Sequence, residues 1–279
     1  MSDTQAGSGT GKVDVSVVIP TYRRENLVGQ AVRSALEQQG VVVEVIVMDD
    51  APGATARAAV TSIGDARVTY VARPEPSGGR PARVRNDGAR RARGRYIYFL
   101  DDDDLLEPGA LALLVGTLDA RPDVGMAFGV VTPFGDDAAK LIDHEKYFRD
   151  AACRAARITG RRKFAANQVY CDTVLINSAC MARRTVFEQV GGFDESIAVC
   201  EDADMWARMA LASDFIFLNR SVVLYRTGAA SIMNSLARND PRLPESYRRI
   251  RANFVASVGK LDAFLLRIRA RLFSRPQCR

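Results

Sequence analysis

Apolar runs and helical patterns alternate along the first hundred residues. Residues 15–20 and 41–48 are apolar almost throughout, which is typical of strands buried on both faces of a sheet. Between them, residues 25–39 repeat apolar side chains at helical spacing, and Gly40 can end that helix. This alternation indicates an α/β fold with a mostly parallel, doubly wound sheet flanked by helices. The pattern continues with predicted helices at 54–63 and 83–93 and predicted strands at 67–72 and 95–100.

Polar or conformationally special residues follow three of the predicted strands where each strand ends. The carboxyl ends of parallel strands meet at one edge of a doubly wound sheet, where ligands bind. We therefore expect the three segments to open on one crevice. They are Pro20-Thr21-Tyr22, Asp49-Asp50 and Asp101 to Asp104.

The second half of the chain is less regular, and no linker separates it from the first. We expect a flexible tail at 1–13, one fused domain at 14–240 and a helical C-terminal extension at 241–279. Within the second half, the pattern predicts strands at 124–131, 174–181, 215–218 and 222–225 and helices at 184–190 and 201–212. Residues 138–165 are basic, and the pattern leaves them as helical or mobile.

Four consecutive aspartates, Asp101 to Asp104, follow the predicted strand at 95–100. Adjacent carboxylates repel one another and destabilise a fold unless something neutralises them. Mg²⁺ or Mn²⁺ would do so, because hard divalent cations prefer oxygen ligands and often share them with a diphosphate. The alternative is an acidic turn that caps the helix starting near Pro108, since carboxylates suit a helix N-terminus.

Bulk composition narrows the function classes. An apolar fraction of 47% fits a globular protein with a real core, and no apolar run is long enough to cross a bilayer. The segment from Arg248 onward has nine basic residues and one acid, so its net charge is +8. The whole chain has a net charge of +6, so the net charge of the remaining residues is near −2. A body of that charge predicts no nucleic-acid partner. Five cysteines without CxxC spacing argue against a disulfide framework and favour a reducing, cytoplasmic location.

Four segments occur in the order and spacing of family 2 inverting glycosyltransferases, and the chain resembles that family over residues 14–226. The resemblance implies a GT-A fold, with a nucleotide-binding half at 14–115 and an acceptor-binding half at 116–240. It also implies metal-dependent transfer of one sugar from a nucleotide-diphosphate sugar, with a UDP-sugar favoured and Mn²⁺ or Mg²⁺ as cofactor. The segments are VSVVIPTYRR at 15–24, VIVMDDAP at 45–52, GGRPARVRNDGARRARGRYIYFLDDDDLLEPGAL at 78–111 and VGGFDESIAVCEDADMWAR at 190–208.

The resemblance gives roles to residues of the nucleotide-binding half. Pro20 and Tyr22 would pack on the base of the nucleotide, and Asp50 would hydrogen-bond uracil or ribose. Arg85 would face the diphosphate. Plainer alternatives are a core position for Tyr22, a turn cap for Asp50 and a solvated helix surface for Arg85.

Asp101-Asp102-Asp103 resembles the DxD motif of the family. Asp103, together with Asp101, would bind the metal. Asp101 and Asp102 would contact the ribose or the metal, directly or through water. Asp104 lies just beyond the motif, and we expect it to cap the following helix.

Glu201-Asp202 resembles the ED motif of the family. Asp202 would be the general base, taking the proton of the acceptor hydroxyl as that oxygen attacks the anomeric carbon. Glu201 and Trp206, one turn further along, would contact the acceptor. The alternative for Glu201 and Asp202 is that they are first-turn acids favoured by the helix macrodipole. The alternative for Trp206 is a position in the core.

The C-terminal segment places Leu261, Phe264, Leu265, Ile268 and Leu272 at helical spacing among arginines. A basic amphipathic helix suits the surface of an anionic membrane, so peripheral binding to the inner membrane face is one hypothesis. The other is a helix that packs on the catalytic body or on a second subunit, which leaves a homo-oligomer open.

The acceptor is expected to be a saccharide, a lipid-linked saccharide or a small molecule, as in polysaccharide biosynthesis. Without predicted membrane spans, single-sugar addition fits better than processive synthesis. A nucleotidyltransferase would usually need a Gly-rich loop after the first strand, and a dinucleotide enzyme would need GxGxxG. The alternative function is a degenerate sugar-nucleotide-binding module at the membrane surface, against which the presence of both acidic motifs argues.

Overall fold

The computed structural model describes residues 12–171, 174–228 and 240–273, so nearly all of the predicted tail lies outside the described residues. The described residues form one mixed sheet of eight strands, covered by helices on both faces. The strands are β1 (Val15–Thr21), β2 (Val43–Asp49), β3 (Val68–Ala72), β4 (Tyr96–Phe99), β5 (Leu105–Leu106), β6 (Val124–Phe134), β7 (Cys180–Arg183) and β8 (Asp214–Arg226). The helices are α1 (Glu25–Leu36), α2 (Arg57–Thr61), α3 (Pro81–Ala89), α4 (Ala110–Asp119), α5 (Ala138–Arg157), α6 (Arg161–Tyr170), α7 (Arg184–Gln189), α8 (Glu201–Ala212), α9 (Arg242–Val258) and α10 (Lys260–Phe273).

The first half of the sheet is parallel, as predicted, with the strand order β3-β2-β1-β4. The apolar run of β1 is buried on both faces because helices cover the sheet from each side. The winding reverses between β1 and β4, and open α/β sheets bind ligands at such a reversal. Thr21 ends β1 and Asp101 follows β4, so both lie at this point.

The second half joins the first through β7, which is antiparallel to both β4 and β6. The predicted strand at 174–181 is wrong over most of its length, because β7 begins only at Cys180 and a 3-10 turn occupies Asn177–Ala179. That turn is buried beside the end of β4, where the Ser178 hydroxyl accepts a hydrogen bond from the Asp101 amide at 3.1 Å. Part of the segment predicted as a strand therefore forms a buried turn.

The two short strands predicted at 215–218 and 222–225 are parts of the single strand β8. Its pairing with β6 is irregular around Gly129. A Cβ atom at Gly129 would lie 2.5 Å from Val222 Cγ1 and 2.7 Å from the Arg220 carbonyl oxygen. Glycine is therefore required for this close approach of the two strands.

The C-terminal helices pack on the catalytic body, with Ile250 and Leu266 in its apolar layer. Asp194, in the loop before α8, ties α9 down by accepting hydrogen bonds from Asn253 at 2.9 Å and Arg249 at 3.2 Å. Burial alone would raise the pKa of Asp194, but hydrogen bonds from Ser196, Asn253 and Arg249 lower it below the ordinary value. One face of the C-terminal helix α10 therefore packs on the body, which was the predicted alternative to membrane binding.

No helix within the described ranges has the length and apolar character needed to cross a membrane. Cys180 is a buried free thiol, whereas Cys153 on α5 is disulfide-bonded.

Candidate active site

The four aspartates after β4 differ in what surrounds them. Asp102 is buried and accepts hydrogen bonds from the Thr21 hydroxyl at 2.7 Å and the Arg24 guanidinium at 2.6 Å. Burial raises the pKa of Asp102, and Arg24 opposes that rise. The carboxylate of Asp102 thus joins the end of β4 to the loop after β1, which leaves it less accessible to a ligand than its neighbours.

Asp101 and Asp103 are the more accessible members of the run. The Asp101 side chain is 37% exposed and the Asp103 side chain 13% exposed, against 6% for Asp102. Asp103 pairs with Arg24 at 2.9 Å. Burial and the neighbouring Asp101 charge raise the pKa of Asp103 to about 6, while Arg24 acts in the opposite sense. Exposure therefore alternates along Asp101, Asp102 and Asp103.

Asp104 does not cap the following helix, contrary to expectation. It is buried, and its Oδ1 atom accepts a hydrogen bond from the Arg226 amide of β8 at 3.1 Å. The N-terminus of α4 begins instead after Gly109, which has a left-handed φ of 77° and no side-chain cap. The Oδ2 atom of Asp104 is buried without a hydrogen-bond partner among the described residues. Burial and the charges of Asp101 and Asp103 raise the pKa of Asp104 well above its ordinary value.

This donor set suits a divalent cation, although the described residues contain no ready-made group of three or more metal ligands. The accessible Asp101 and Asp103 supply hard oxygen atoms, and the buried Oδ2 atom of the adjacent Asp104 has no hydrogen-bond partner among the described residues. Mg²⁺ is commonly held by one or two carboxylates together with substrate phosphates rather than by an all-protein cage. A pair of aspartates completed by a diphosphate would meet that requirement.

Arg85 of α3 connects the two acidic motifs. Its guanidinium forms ion pairs with Asp101 at 2.7 Å and with Glu201. It also lies over the Phe193 ring, 5.7 Å from the centroid. Burial would lower the pKa of Arg85, but the Asp101 and Glu201 carboxylates outweigh it and raise that pKa. The side chain is 8% exposed and faces protein carboxylates, so the predicted contact with a diphosphate stays a prediction.

Glu201 and Asp202 begin α8, whose N-terminal boundary residue Cys200 has a left-handed φ of 59°. Backbone strain of this kind, at a residue other than glycine, often occurs at functional sites. Asp202 is half-buried, and its Oδ1 atom accepts the Ala203 amide at 2.9 Å. Burial raises the pKa of both carboxyl groups, and Arg85 opposes the rise in each.

The three residues predicted to bind the nucleoside differ in their exposure and in their contacts. The Tyr22 ring is 48% exposed beside Arg23, so the alternative of a core position for it is wrong. Pro20 is half-buried within β1. Asp50 is buried and holds the following loop, because it accepts hydrogen bonds from the Ser77 amide at 2.7 Å and the Ser77 hydroxyl at 2.5 Å. Its predicted contact with uracil or ribose would have to use the remaining lone pairs.

Comparison with known proteins decides the family. The sequence profile described as Glycosyl transferase family 2 matches residues 16–191. The chain belongs to glycosyl transferase family 2. Among curated relatives, succinoglycan biosynthesis protein ExoO of Rhizobium meliloti is 39% identical over 107 residues, which cover 38% of this chain and 30% of that protein. The family makes the chain a glycosyltransferase. Its match to ExoO spans less than a third of the length of that relative.

Solved structures confirm the predicted GT-A fold of this family 2 glycosyltransferase. The structure of S. aureus TarS 1–349 in complex with UDP-GlcNAc has a TM-score of 0.72 at 16% identity, covering 94% of this chain and 72% of that one. The mannosyltransferase PcManGT from Pyrobaculum calidifontis, in complex with GDP-Man and Mn²⁺, has a TM-score of 0.57 at 18% identity. It covers 94% of this chain and 81% of that one. At these identities the likeness establishes the fold.

Trp206 of the glycosyltransferase is a core residue, so the predicted acceptor contact is wrong. Its side chain is fully buried in the apolar layer between the sheet and α8. Asp202 stands in the first turn of α8 and is half-buried, whereas Trp206 lies one turn further along on nearly the same side, where the apolar layer covers the helix. Glu201 is also buried and engaged by Arg85, so its acceptor contact stays a prediction.

Several residues that complete the site were not predicted. Arg24 stands in the loop after β1, and Thr21, in a segment expected at the crevice but given no role, ends that strand. The position of β1 beside β4 in the sheet is the signal that could have identified their contacts with Asp102. Asn86 binds the second half through hydrogen bonds with the backbone of Phe193 at 2.9 and 3.0 Å. Arg226 reaches Asp104 only through the long-range pairing of β8, which no local pattern indicates.

Proposed function

We propose that this chain is a metal-dependent inverting glycosyltransferase. It moves one sugar from a nucleotide-diphosphate sugar, with UDP-sugars favoured, to an acceptor hydroxyl. The acceptor would be a saccharide, a lipid-linked saccharide or a small molecule. Asp202 is the general base, and the Asp101–Asp103 motif holds metal and diphosphate.

The observation that carries this proposal is the position of Arg85 between Asp101 and Glu201. Asp101 follows a strand of the nucleotide-binding half, and Glu201 opens a helix about a hundred residues later. The shared guanidinium brings the two acidic motifs together at the sheet's switch point. A transferase needs donor and base at one place, whereas a binding module has no use for the second motif.

Donor binding is assigned to the residues around the crevice. The exposed Tyr22 ring offers an aromatic face on which a base can stack, and Pro20 and Asp50 lie at the ends of the neighbouring strands. TarS was solved with UDP-GlcNAc and PcManGT with GDP-Man and Mn²⁺, which supports a nucleotide sugar and a divalent metal for this chain too.

The reaction proceeds by one displacement. The acceptor oxygen attacks the anomeric carbon while the bond from that carbon to the diphosphate oxygen breaks, and the electron pair leaves with the nucleoside diphosphate. Asp202, half-buried at the start of α8, takes the acceptor's proton as the new bond forms. Asp101 and Asp103 would hold Mn²⁺ or Mg²⁺, and the bound ion would supply positive charge to stabilise the departing diphosphate.

Arg85 and Glu201 position these groups. The Glu201 carboxylate holds one end of the guanidinium, and the other end fixes Asp101 at 2.7 Å. Arg24 likewise holds Asp102 and Asp103. The buried guanidinium of Arg85 and the partly buried guanidinium of Arg24 therefore keep the acids in place and reduce their mutual repulsion, so the donor meets a preformed site.

The test is the Asp202→Asn variant, assayed for nucleoside diphosphate release from a panel of UDP-, dTDP- and GDP-sugars with Mn²⁺ and simple saccharide acceptors. The amide cannot accept the proton, so turnover should fall by about 10² to 10⁴. Donor affinity, measured by calorimetry, should stay within about threefold of wild type, since Asp202 contacts the acceptor side. Asp143→Asn, an exposed acid on α5, is the matched control.

Unchanged turnover in Asp202→Asn would exclude the base assignment. A wild-type protein that binds a nucleotide sugar but never releases the nucleoside diphosphate, with any acceptor, would favour the degenerate binding module instead.

A further inference from the structure

The C-terminal helix α10 has apolar residues on two opposite sides. Ala263, Leu266 and Ala270 are buried against the body. At about 100° per residue, the remaining large apolar residues point roughly 180° away from those three. We call this second set the outer stripe. It consists of Leu261, Phe264, Leu265, Ile268 and Leu272.

The outer stripe is open to solvent. Leu261 and Leu272 are each 72% exposed, and Phe264 is 59% exposed. Five of the eleven large apolar side chains that the described residues expose lie on this one helix. Single exposed apolar residues are ordinary, but a continuous row indicates an interaction surface.

Positive charge flanks the outer stripe on both sides. By helical position, Arg269 lies on one flank, and Lys260, Arg267 and Arg271 lie on the other. All four are exposed. Asp262 is the one acid of α10, and it is already paired with Arg162 of α6 at 2.7 Å. The exposed surface is therefore apolar along its centre and cationic along its edges.

We infer that the outer stripe docks on an anionic lipid surface. Its leucine, isoleucine and phenylalanine side chains enter the boundary between headgroups and acyl chains, and the flanking cations meet lipid phosphates. The fold fixes this orientation in advance, because the opposite side of α10 is packed on the body. The helix therefore holds the catalytic body against the membrane without spanning it.

A second copy of the chain is a less suitable partner for the outer stripe, because its charges have the same sign. Two outer stripes packed face to face would place the cations of one helix against those of the other, with both copies of Asp262 already engaged by Arg162. Like charges at such an interface disfavour association. Lipid phosphates supply the opposite charge that a second copy lacks.

This inference does not depend on the proposed chemistry, and vesicle binding tests it without any activity measurement. The full chain is sedimented with phosphatidylglycerol-rich vesicles and with pure phosphatidylcholine vesicles, at low and high salt. Wild type should bind the anionic vesicles, more weakly at high salt, and bind the neutral ones far less. The double variant Phe264→Ser/Ile268→Ser should bind at least about tenfold more weakly, because it removes the central apolar groups.

A single charge variant, Arg269→Gln, should weaken binding by about fivefold. The controls are Ile142→Ser, an apolar residue 67% exposed on α5, and Arg149→Gln on the same helix. All variants alter exposed side chains, so thermal unfolding should match wild type. Equal sedimentation of the stripe variant and the Ile142 control would overturn the inference. A wild-type dimer that the stripe variant turns into a monomer, with no vesicle binding by either, would also overturn it and assign the stripe to a second copy.

Discussion

Replacing Arg85 with methionine should destabilise the protein chiefly through the carboxylate that it leaves unpaired. Removing one partner of a buried ion pair typically costs about 3–5 kcal/mol. Asp101 is 37% exposed and regains water, whereas the Glu201 side chain is 6% exposed and cannot. The uncompensated charge is thus essentially that of Glu201, and we expect a loss near the lower limit, about 3 kcal/mol at pH 8.

The pH dependence of Arg85→Met follows from the same carboxyl group. Burial already raises the pKa of Glu201, and loss of the opposing guanidinium raises it further. A carboxyl group whose pKa is higher in the folded state destabilises the fold at pH values above its unfolded pKa. The penalty should therefore shrink by about 1–2 kcal/mol between pH 8 and pH 5.5, as Glu201 takes up a proton.

Urea unfolding followed by circular dichroism measures both effects at the two pH values. Adding Glu201→Gln to Arg85→Met should recover about 2 kcal/mol at pH 8, since a neutral amide is less costly to bury. Arg83→Met on the same helix is the control, because Arg83 is 51% exposed and such surface pairs contribute at most about 1 kcal/mol. A loss below about 1 kcal/mol for Arg85→Met at pH 8, or a double variant no more stable than the single, would refute this reasoning.

Three further changes test the fold. Asp194→Asn should cost about 1–2 kcal/mol near neutral pH, and the difference from wild type in thermal unfolding should vanish as pH falls through the lowered pKa of this acid; a constant difference would contradict the assigned hydrogen bonds. Gly88→Ala should cost about 1–3 kcal/mol in urea unfolding, because its Cβ would lie 2.4 Å from Val18 Cγ1; Gly116→Ala, with open space around it, should not destabilise. Trp206→Phe should lower the melting temperature while leaving the acceptor KM unchanged, and a raised KM with normal stability would restore the acceptor contact.

The first half of the fold was predictable because its signals are local. The apolar runs of β1, β2 and β4 are long enough to identify buried strands, and the polar or conformationally special residues at their ends predict the ligand edge. The bounds of α8 were also predicted, since its acidic first turn and apolar spacing agree.

The remaining parts depend on contacts distant in sequence. Ser178 reaches the aspartates from a turn that the apolar pattern predicted as strand. Arg24 and Glu201 acquire their roles only when the sheet order places them beside acids from other elements. Helical spacing identified the outer stripe of α10 but could not show which side of that helix the body would cover.

The most direct measurement of the central claim is a thermal-shift panel of nucleoside diphosphates and nucleotide sugars, with and without Mn²⁺. The proteins compared are wild type, Asp103→Ala and the exposed-site control Asp143→Ala. A ligand bound only by the folded state raises the melting temperature by mass action. We expect a metal-dependent rise with one nucleotide, strongest for the uridine series, that Asp143→Ala keeps and Asp103→Ala loses. A rise that is indifferent to metal and to Asp103, or none with any nucleotide, would contradict the assignment of the aspartates to the donor site.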